Sequence, residues 1–536
     1  MDEGIKNPLE TSKLTIHSTT GYLEELKKSK DEWLKLWDKM DIIIDGDRYA
    51  QKLIRMHLYH SLVTASPHYE NQDTGIAPRG LHGEAYRGHI FWDELYILPL
   101  YNIHFPEVVK SVLLYRYRRL DKAREYAKEY GYKGAMFPWQ SGSDGREETQ
   151  IVHLNPISGE WGDDYSSLQR HVSLAITYNI WNYYWTTNDL KFMIQYGAEM
   201  FFEICRFWAS KSKYDDKTQR YHIDKVMGPD EFHESMPGSR KEGLEDNAYT
   251  NIMVSWALSA AFKIINSLPA KDRDQIFTKI SLTKTEIDEW RSVKEKLNLE
   301  ISKEGIVSQF SGYFDLKELD WDYYNNKYED THRLDRILKA EGKSPDEYKL
   351  SKQADFLMTL YNLPEKEVTK IITDLGYKIP KDYLAKNFDY YIARTSHGST
   401  LSRLVHACLA FKVKQNDLGW ELYMEALESD YVDIQGGTTG EGIHCGVMAG
   451  TIYAVLQTFA GLDLSNEYPG LCPSLPEYWE RLKFNFTFRD TVYQVNISKN
   501  NIEIIGKNDT NKKIKMNLCD QIHVLPNNKP IILKIS

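Results

Sequence analysis

A chain of 536 residues is too long for one small domain and long enough to bury a large core, and its 42% hydrophobic and 27% charged residues are those of an ordinary globular protein. A formal charge of −10 excludes the basic footprint that a nucleic-acid partner requires. No apolar run reaches the roughly 20 residues that cross a bilayer, and Met1 to Lys6 lacks the basic and apolar segments of a secretory signal. A cytoplasmic protein without a membrane partner is therefore expected. Cys205, Cys408, Cys445, Cys472 and Cys519 are odd in number and form no CxxC pair, which points to buried free thiols and away from a disulfide framework or a zinc site.

In chain order, residues 1 to about 15 are polar and read as loose. Tyr22 to Lys39 reads as an amphipathic helix with Leu23, Leu26, Trp33, Leu36 and Trp37 on its apolar face. After Asp45-Gly46, Arg48 to Ala65 carries Leu53, Ile54, Leu58 and Leu62 at helical spacing. Similar helices recur at 94–103, 108–130, 168–187, 190–212, 246–266, 351–361, 399–412, 417–428 and 444–460. Residues 283–300 read as a polar helix, and 301–316 as a short extended stretch with a Gly-rich turn. From Lys483-Phe484-Asn485-Phe486 onward the pattern alternates with Asn/Gly/Asp turns, as in a small β-domain. The expected division is a tail and helical linker over 1–40, a helical catalytic domain over 41–465 and a β-sheet domain over 466–536. Helical pairs joined by long loops rich in Trp, His and acids suit a toroid of hairpins with working loops at one end.

Chemistry collects in those loops. Val226-Met227-Gly228-Pro229-Asp230-Glu231-Phe232-His233-Glu234 seats adjacent acids on a Gly-Pro turn, where Glu231 could be shown to a substrate and its pKa raised by rings such as Phe232 and Tyr249. The competing reading is a helix start capped by Asp230. Arg79 to Glu94 and Phe137 to Glu148 each mix glycines, rings and charges, as a pocket floor does. Arg394 to Ser402 places hydroxyls, His397 and Gly398 before a helix, which makes either an anion seat or an ordinary cap by Ser399 or Thr400. Gly436 to His444 is a comparable loop bearing Glu441 and His444. Lys352-Gln353-Ala354-Asp355 either serves the same cavity or simply starts a helix.

Gly88-His89-Ile90-Phe91-Trp92-Asp93-Glu94, Phe137-Pro138-Trp139-Gln140-Ser141, Gly228-Pro229-Asp230-Glu231, Asp246 to Asn251, Lys352 to Asp355, His397-Gly398-Ser399 and Glu441 to His444 stand in the order found in glycoside hydrolase family 65, which the chain resembles from about residue 20 to 490. That family holds trehalose, maltose and kojibiose phosphorylases and acid trehalases, and the loops at 79–94 and 139–148 are most similar to its actinobacterial trehalase-type members. The resemblance implies a mainly α protein, an (α/α)6 barrel preceded by a helical linker and followed by a small β-sheet domain. It also implies that Glu231 is the general acid, that Trp92 and Asp93 hold the non-reducing glucose, and that Lys352 and Gln353 make further sugar contacts, with Arg87 and Trp139 from the neighbouring loops completing that set. Members usually begin with a large β-sandwich, whereas this chain starts at about the linker. The family's dimers leave a homodimer as an open expectation.

Two inverting reactions fit such a site. With inorganic phosphate as co-substrate, Ser396, His397, Ser399, Thr400 and His444 are the candidates for its cradle, although phosphorylases of the family more often carry Asp where Gly398 stands. With water as nucleophile, a second carboxylate is needed, and Glu441 is the candidate. Phosphorolysis of trehalose, kojibiose or a similar α-glucoside is the leading expectation, hydrolysis the alternative, and a fragment that binds α-glucosides without turnover the third. No metal cluster and no nucleotide fingerprint stands out, so no metal and no organic cofactor are expected.

Overall fold

The computed structural model describes residues 7–534 except Asn71, Leu81, His82, Glu84, Arg240, 435–438 and 511–512. A helix that is apolar on every side must be surrounded by protein, whereas one with a single apolar stripe lies at the surface. The helices of this chain alternate between those two kinds. The outer set, striped except for α5, which buries all of its residues but Arg206 and Ser210, is α1 (Arg48–Thr64), α3 (Pro106–Arg118), α5 (Ala198–Lys211), α7 (Lys284–Lys296), α9 (Tyr383–Ile392) and α11 (Asn416–Glu428). The enclosed, inner set is α2 (Glu94–Asn102), α4 (Val172–Thr187), α6 (Ala248–Ser267), α8 (Asp355–Asn362), α10 (Thr400–Lys412) and α12 (Cys445–Ala454). α12 buries every residue from Cys445 to Ile452, while α7 buries only Glu286, Trp290 and Val293. Each inner helix packs on the next, and α12 packs back on α2, so the ring closes as an (α/α)6 barrel.

The sequence of turns sets which end does what. Every inner helix starts at the same end of the ring, because each is preceded by an outer helix that returns the chain to that end. Trp92-Asp93, Asn247, Gln353-Ala354, Ser399 and His444 therefore stand together at the N-terminal ends of α2, α6, α8, α10 and α12. Six helix N-termini, each the positive end of its helix dipole, face that end. The opposite end holds a separate cavity of about 600 Å³ lined by Trp181, Trp185, Trp256, Tyr361 and Tyr453.

The C-terminal region forms an antiparallel five-stranded sheet in the order Ile43–Asp45, Arg481–Phe488, Thr491–Ser498, Asn501–Asn508, Pro530–Lys534, and a four-stranded sheet of Gln521–Leu525, Ile514–Leu518, Gly470–Leu471 and Leu462–Asp463. Alternation in the sequence becomes alternation of faces: Leu482, Phe484, Phe486 and Phe488 point inward, and Phe486 stacks on Tyr493 at 4.7 Å. The first strand of the larger sheet comes from the far end of the chain, with Ile44 opposite Leu482. Thr487 N–H donates to Ile103 O and Arg489 N–H to Thr186 O, which ties the sheet to the C-terminal ends of α2 and α4.

Several elements depart from the sequence-based expectations. Pro8–His17 is a helix capped by Asn7, whose side chain accepts from Glu10 N–H; it buries nothing, which is why no apolar stripe announced it. No strand forms over 301–316, where one bridge joins Ile301 to Val307. Helices at Ala270–Ile280, Trp321–Lys327, Leu334–Ala340, Glu365–Asp374 and Tyr383–Ile392 were not anticipated. The last of these, α9, buries Tyr383, Leu384, Asn387, Phe388 and Tyr391, a helical spacing made mostly of rings in place of aliphatic residues. Cys205, Cys408 and Cys445 are buried as expected, but Cys472 and Cys519 are exposed, with sulfurs 2.7 Å apart just past the paired ends of Gly470–Leu471 and Ile514–Leu518.

Gly46 makes the turn from the first strand into α1 at φ +99°, and a Cβ there would stand 2.2 Å from Tyr478 O. Gly46→Ala is expected to destabilise the protein by about 2 kcal/mol through forced backbone strain. Thermal unfolding followed by circular dichroism reads this as a lower melting temperature, and an unchanged one would show that the turn relaxes freely.

Candidate active site

The Gly-Pro turn before α6 is not a helix start. Glu231 adopts φ +62°, in the left-handed region that a non-glycine residue enters only under constraint. The constraint lies beneath it. Asp230 N–H donates to Asp355 Oδ1 at 2.6 Å, and Asn247 Nδ2 donates to Asp355 Oδ2 at 2.5 Å. Gln353 Nε2 donates to Pro229 O at 2.8 Å, and Lys352 N–H to Asp230 Oδ1 at 2.9 Å. Gly228 must lack a side chain, since a Cβ would lie 2.1 Å from Asp355 Oδ2. The starts of α6 and α8 thus grip the turn from both sides.

His233 closes the network. Its Nδ1 donates to Asp230 Oδ2 and its Nε2 to Tyr348 O, so both ring nitrogens face acceptors, the pattern of an imidazolium. Burial opposes that charge, yet the adjoining Asp230 carboxylate pushes the His233 pKa up to about 9. Burial, followed by the charge of Asp230, drives the Asp355 carboxyl well above the usual range.

Above this floor lies a cavity of about 510 Å³, a size suited to a small ligand. Trp92, Asp93, Trp139, Glu231, Lys352, Ser399 and His444 all line it. The Glu231 side chain is 28% exposed, and its polar partner is the Lys352 ammonium at 2.6 Å, where the sequence suggested a shelter of rings. Across the cavity, Thr400 Oγ1 and His444 Nδ1 are 2.6 Å apart and His444 Nε2 lies 3.0 Å from Asp93 Oδ1. Asp93 can only accept, so His444 donates to it through Nε2 and accepts from the Thr400 hydroxyl. Ser399 caps α10 by accepting from Leu401 N–H, and it also lines the cavity.

Other residues that the sequence suggested lie elsewhere. Arg87 is exposed and outside the cavity lining, and Gln353 is buried beneath Pro229. Ser396 donates to His332 O, Thr400 is engaged by His444, and His397 sits half-buried at φ +52° with Nδ1 3.0 Å from Ser402 Oγ. Burial, then the neighbouring His406 and Arg403, press the His397 pKa well below its ordinary value. Glu441 is 52% exposed, outside the lining, and paired with Arg79 at 3.3 Å. Residues 436–438 of its loop, and Leu81, His82 and Glu84 of the Arg79–Glu94 loop, lie outside the described residues.

The cavity also takes in residues that sequence reasoning passed over. Gln150, His153, Asn155, Trp161 and Asp164 come from the hairpin Val152–Leu154/Trp161–Asp163, and Arg333, Asp335, Arg336 and Lys339 from the short helix Leu334–Ala340 and its cap. A charged seven-residue helix reads as a solvated face, so only its position reveals it. Glu234, also in the lining, has its pKa pushed up by burial to about 7. Away from the cavity, His222, Glu245 and Asp246 bring three metal-ligand types within 4.8 Å of one another, and Asp246 there accepts from His222 Nδ1 at 2.6 Å and Asn298 Nδ2 at 2.9 Å.

Because the folded His233 pKa is raised, its stabilisation is complete below the unfolded value of about 6.5 and is lost as pH rises through about 9. The melting-temperature gap between wild type and His233→Asn is therefore expected to be widest below pH 6.5 and to narrow toward pH 9 and above. A gap independent of pH would remove the imidazolium from the network.

With the geometry in place, comparisons give the chain its relatives. The glycosyl hydrolase family 65 central catalytic domain matches residues 55–453, and the family's C-terminal domain matches residues 465–525. The trehalose 6-phosphate phosphorylase of Lactococcus lactis subsp. lactis is 44% identical over 512 residues, covering 95% of this chain and 65% of the relative. The kojibiose phosphorylase of Caldanaerobacter subterraneus subsp. tengcongensis is 33% identical over 517 residues, covering 93% and 62%. The solved structure of a protein provisionally named kojibiose phosphorylase, from the human microbiome, superposes with a TM-score of 0.82 at 26% identity, covering 98% of this chain and 71% of that one. The chain thus spans less than two thirds of the length of the two named enzymes. A catalytic-domain match across most of its length places the chain in glycosyl hydrolase family 65.

Proposed function

We propose that this protein cleaves an α-glucosidic disaccharide by phosphorolysis with inversion. The observation that carries the reading is the separation of two acids: Glu231 stands in the cavity, whereas Glu441, the residue the sequence offered as a hydrolase's second carboxylate, stands outside and is paired with Arg79. Names of relatives point the same way, since those described above are phosphorylases acting on trehalose 6-phosphate and kojibiose.

The steps follow from the geometry. Trp92 and Trp139 offer ring faces to the glucosyl unit, and Asp93, oriented by His444, accepts from its hydroxyls. Glu231, in the protonated form that has given up its ion pair with Lys352, passes its proton to the glycosidic oxygen as the C1–O bond breaks and positive charge builds on the ring. A phosphate oxygen attacks C1 from the opposite face, so β-glucose 1-phosphate and the freed sugar leave. Phosphate arrives already anionic and needs donors more than a base. Ser399, at the N-terminus of α10, and the neighbouring start of α12 supply N–H groups and positive helix ends for it.

Two variants test this. Glu231→Gln is expected to lower turnover by roughly 10²–10⁴-fold with sugar binding retained, measured as β-glucose 1-phosphate released from trehalose or kojibiose; near-normal turnover would discard the acid. Ser399→Ala is expected to raise the KM for phosphate about 10-fold, one hydrogen bond to an anion, with a smaller change in the sugar KM. Glucose released at the same rate with and without phosphate would establish hydrolysis instead.

A further inference from the structure

The cavity at the other mouth of the ring, at about 600 Å³, is no smaller than the one that holds Glu231. Each of the six inner helices contributes to its wall, and Asn102, Asn362 and Lys412 are the last residues of α2, α8 and α10. Asn102, Trp256 and Asn362 are buried, whereas Lys263, Glu365 and Asp463 on the same lining are exposed, so a sheltered floor opens to solvent through a charged rim. The charges of that rim are answered. Lys263 pairs with Glu367 at 3.4 Å, and Asp463 accepts from Ser465 N–H at 2.8 Å and from Asn466 Nδ2 at 2.9 Å. Lys412 donates to Leu360 O at 2.8 Å and feels the charge of Glu365.

What remains without a partner is amide. Asn102 is 2% exposed, and among the described residues neither the oxygen nor the nitrogen of its side chain has a hydrogen-bond partner. Asn362 donates through its nitrogen to Tyr249 Oη at 2.9 Å, and its buried oxygen likewise has none. Buried amides left unsatisfied are costly, so two on one cavity call for a ligand that can answer both. Rings form the rest of the surface. Trp181 and Trp185 stack on each other and meet Lys263 and Arg489, so their faces are engaged, whereas Trp256, Tyr361 and Tyr453 border the cavity beside the amides. An aromatic face suits the C–H side of a sugar ring, and an amide pairs with a hydroxyl as donor and acceptor at once. The carbonyl ends of the inner helices favour hydroxyl donors over anions.

We propose that this far cavity is a second, non-catalytic site for a neutral sugar, held by the amides of Asn102 and Asn362 against the rings of Trp256, Tyr361 and Tyr453. A charged ligand would need an unanswered counter-charge on the wall, and a purely apolar one would leave both amides unsatisfied. The site stands at the opposite mouth from Glu231 and does not depend on which reaction is carried out there.

Equilibrium dialysis against radiolabelled glucose and, separately, trehalose, in the Glu231→Gln parent and without phosphate, measures sugar bound per chain. Asn102→Leu, added to that parent, is expected to raise the Kd of the far site about 10-fold, the loss of one hydrogen bond or more. Because leucine leaves no polar group unpaired, the variant is also expected to melt no lower than its parent. Asp93→Ala serves as the control that removes sugar from the catalytic end. A sugar that survives Asp93→Ala and is lost with Asn102→Leu sustains the far site, even where the catalytic end binds neither sugar and the phosphorolytic reading fails. Binding that Asn102→Leu leaves unchanged overturns it, and so does a single bound sugar lost to either substitution, which belongs to the catalytic end. If Asn102→Leu melts below its parent, Gln457→Leu, on the same lining just past the end of α12, is read in its place with the same outcomes.

Discussion

The buried Asp230 carboxylate is the point on which the active end depends. Asp230 joins three pieces of the chain: its own turn, the start of α8 through the Lys352 N–H that its carboxylate accepts and the Asp355 carboxylate that its backbone N–H reaches, and the segment at Tyr348 through His233. A residue at positive φ costs of order 1–3 kcal/mol, and Glu231 keeps that conformation because its neighbours leave no alternative. The position of the proposed acid is thus inherited from the packing of two adjacent inner helices. Its aim is as rigid as the ring.

The ring also imposes a polarity. All six inner helices begin at the end that holds Glu231, Asp93 and His444, and an end built from helix N-termini favours negative charge before any side chain is added. The other end presents carbonyl termini and the stacked pair Trp181 and Trp185, and it is backed by the C-terminal region through the bond from Trp185 Nε1 to Leu464 O. An anion suits the first end and not the second.

Much of this was legible in the residues. Inner helices such as 246–266 and 444–460 were plain because they are apolar over long runs, and the small sheet was plain because Lys483 to Arg489 alternates. Trp92, Asp93, Glu231, Ser399 and His444 could be grouped because each sits in a loop whose mixture of glycine, rings and charge makes little sense in solvent, and Lys352 joined them only through the family resemblance. What stayed hidden depends on distance between segments. Nothing in Glu441 reveals that Arg79 draws it outward, nothing in His397 that Ser402 and His406 enclose it, and nothing in Arg333 to Lys339 that a short charged helix leans over the cavity. α9 was missed because its periodic face is aromatic, and Pro8–His17 because it has no buried face at all.

The pairing of Ile43–Asp45 with Arg481–Phe488 has an outcome for biosynthesis. A strand made early must wait for a partner made more than four hundred residues later, long after the helices between them can associate with their neighbours as they emerge from the ribosome. Local hairpins of the toroid form first, and the last sheet to be translated then fastens both extremities together. Until that clasp shuts, the nascent polypeptide carries an unpaired edge, the kind of surface that chaperones guard.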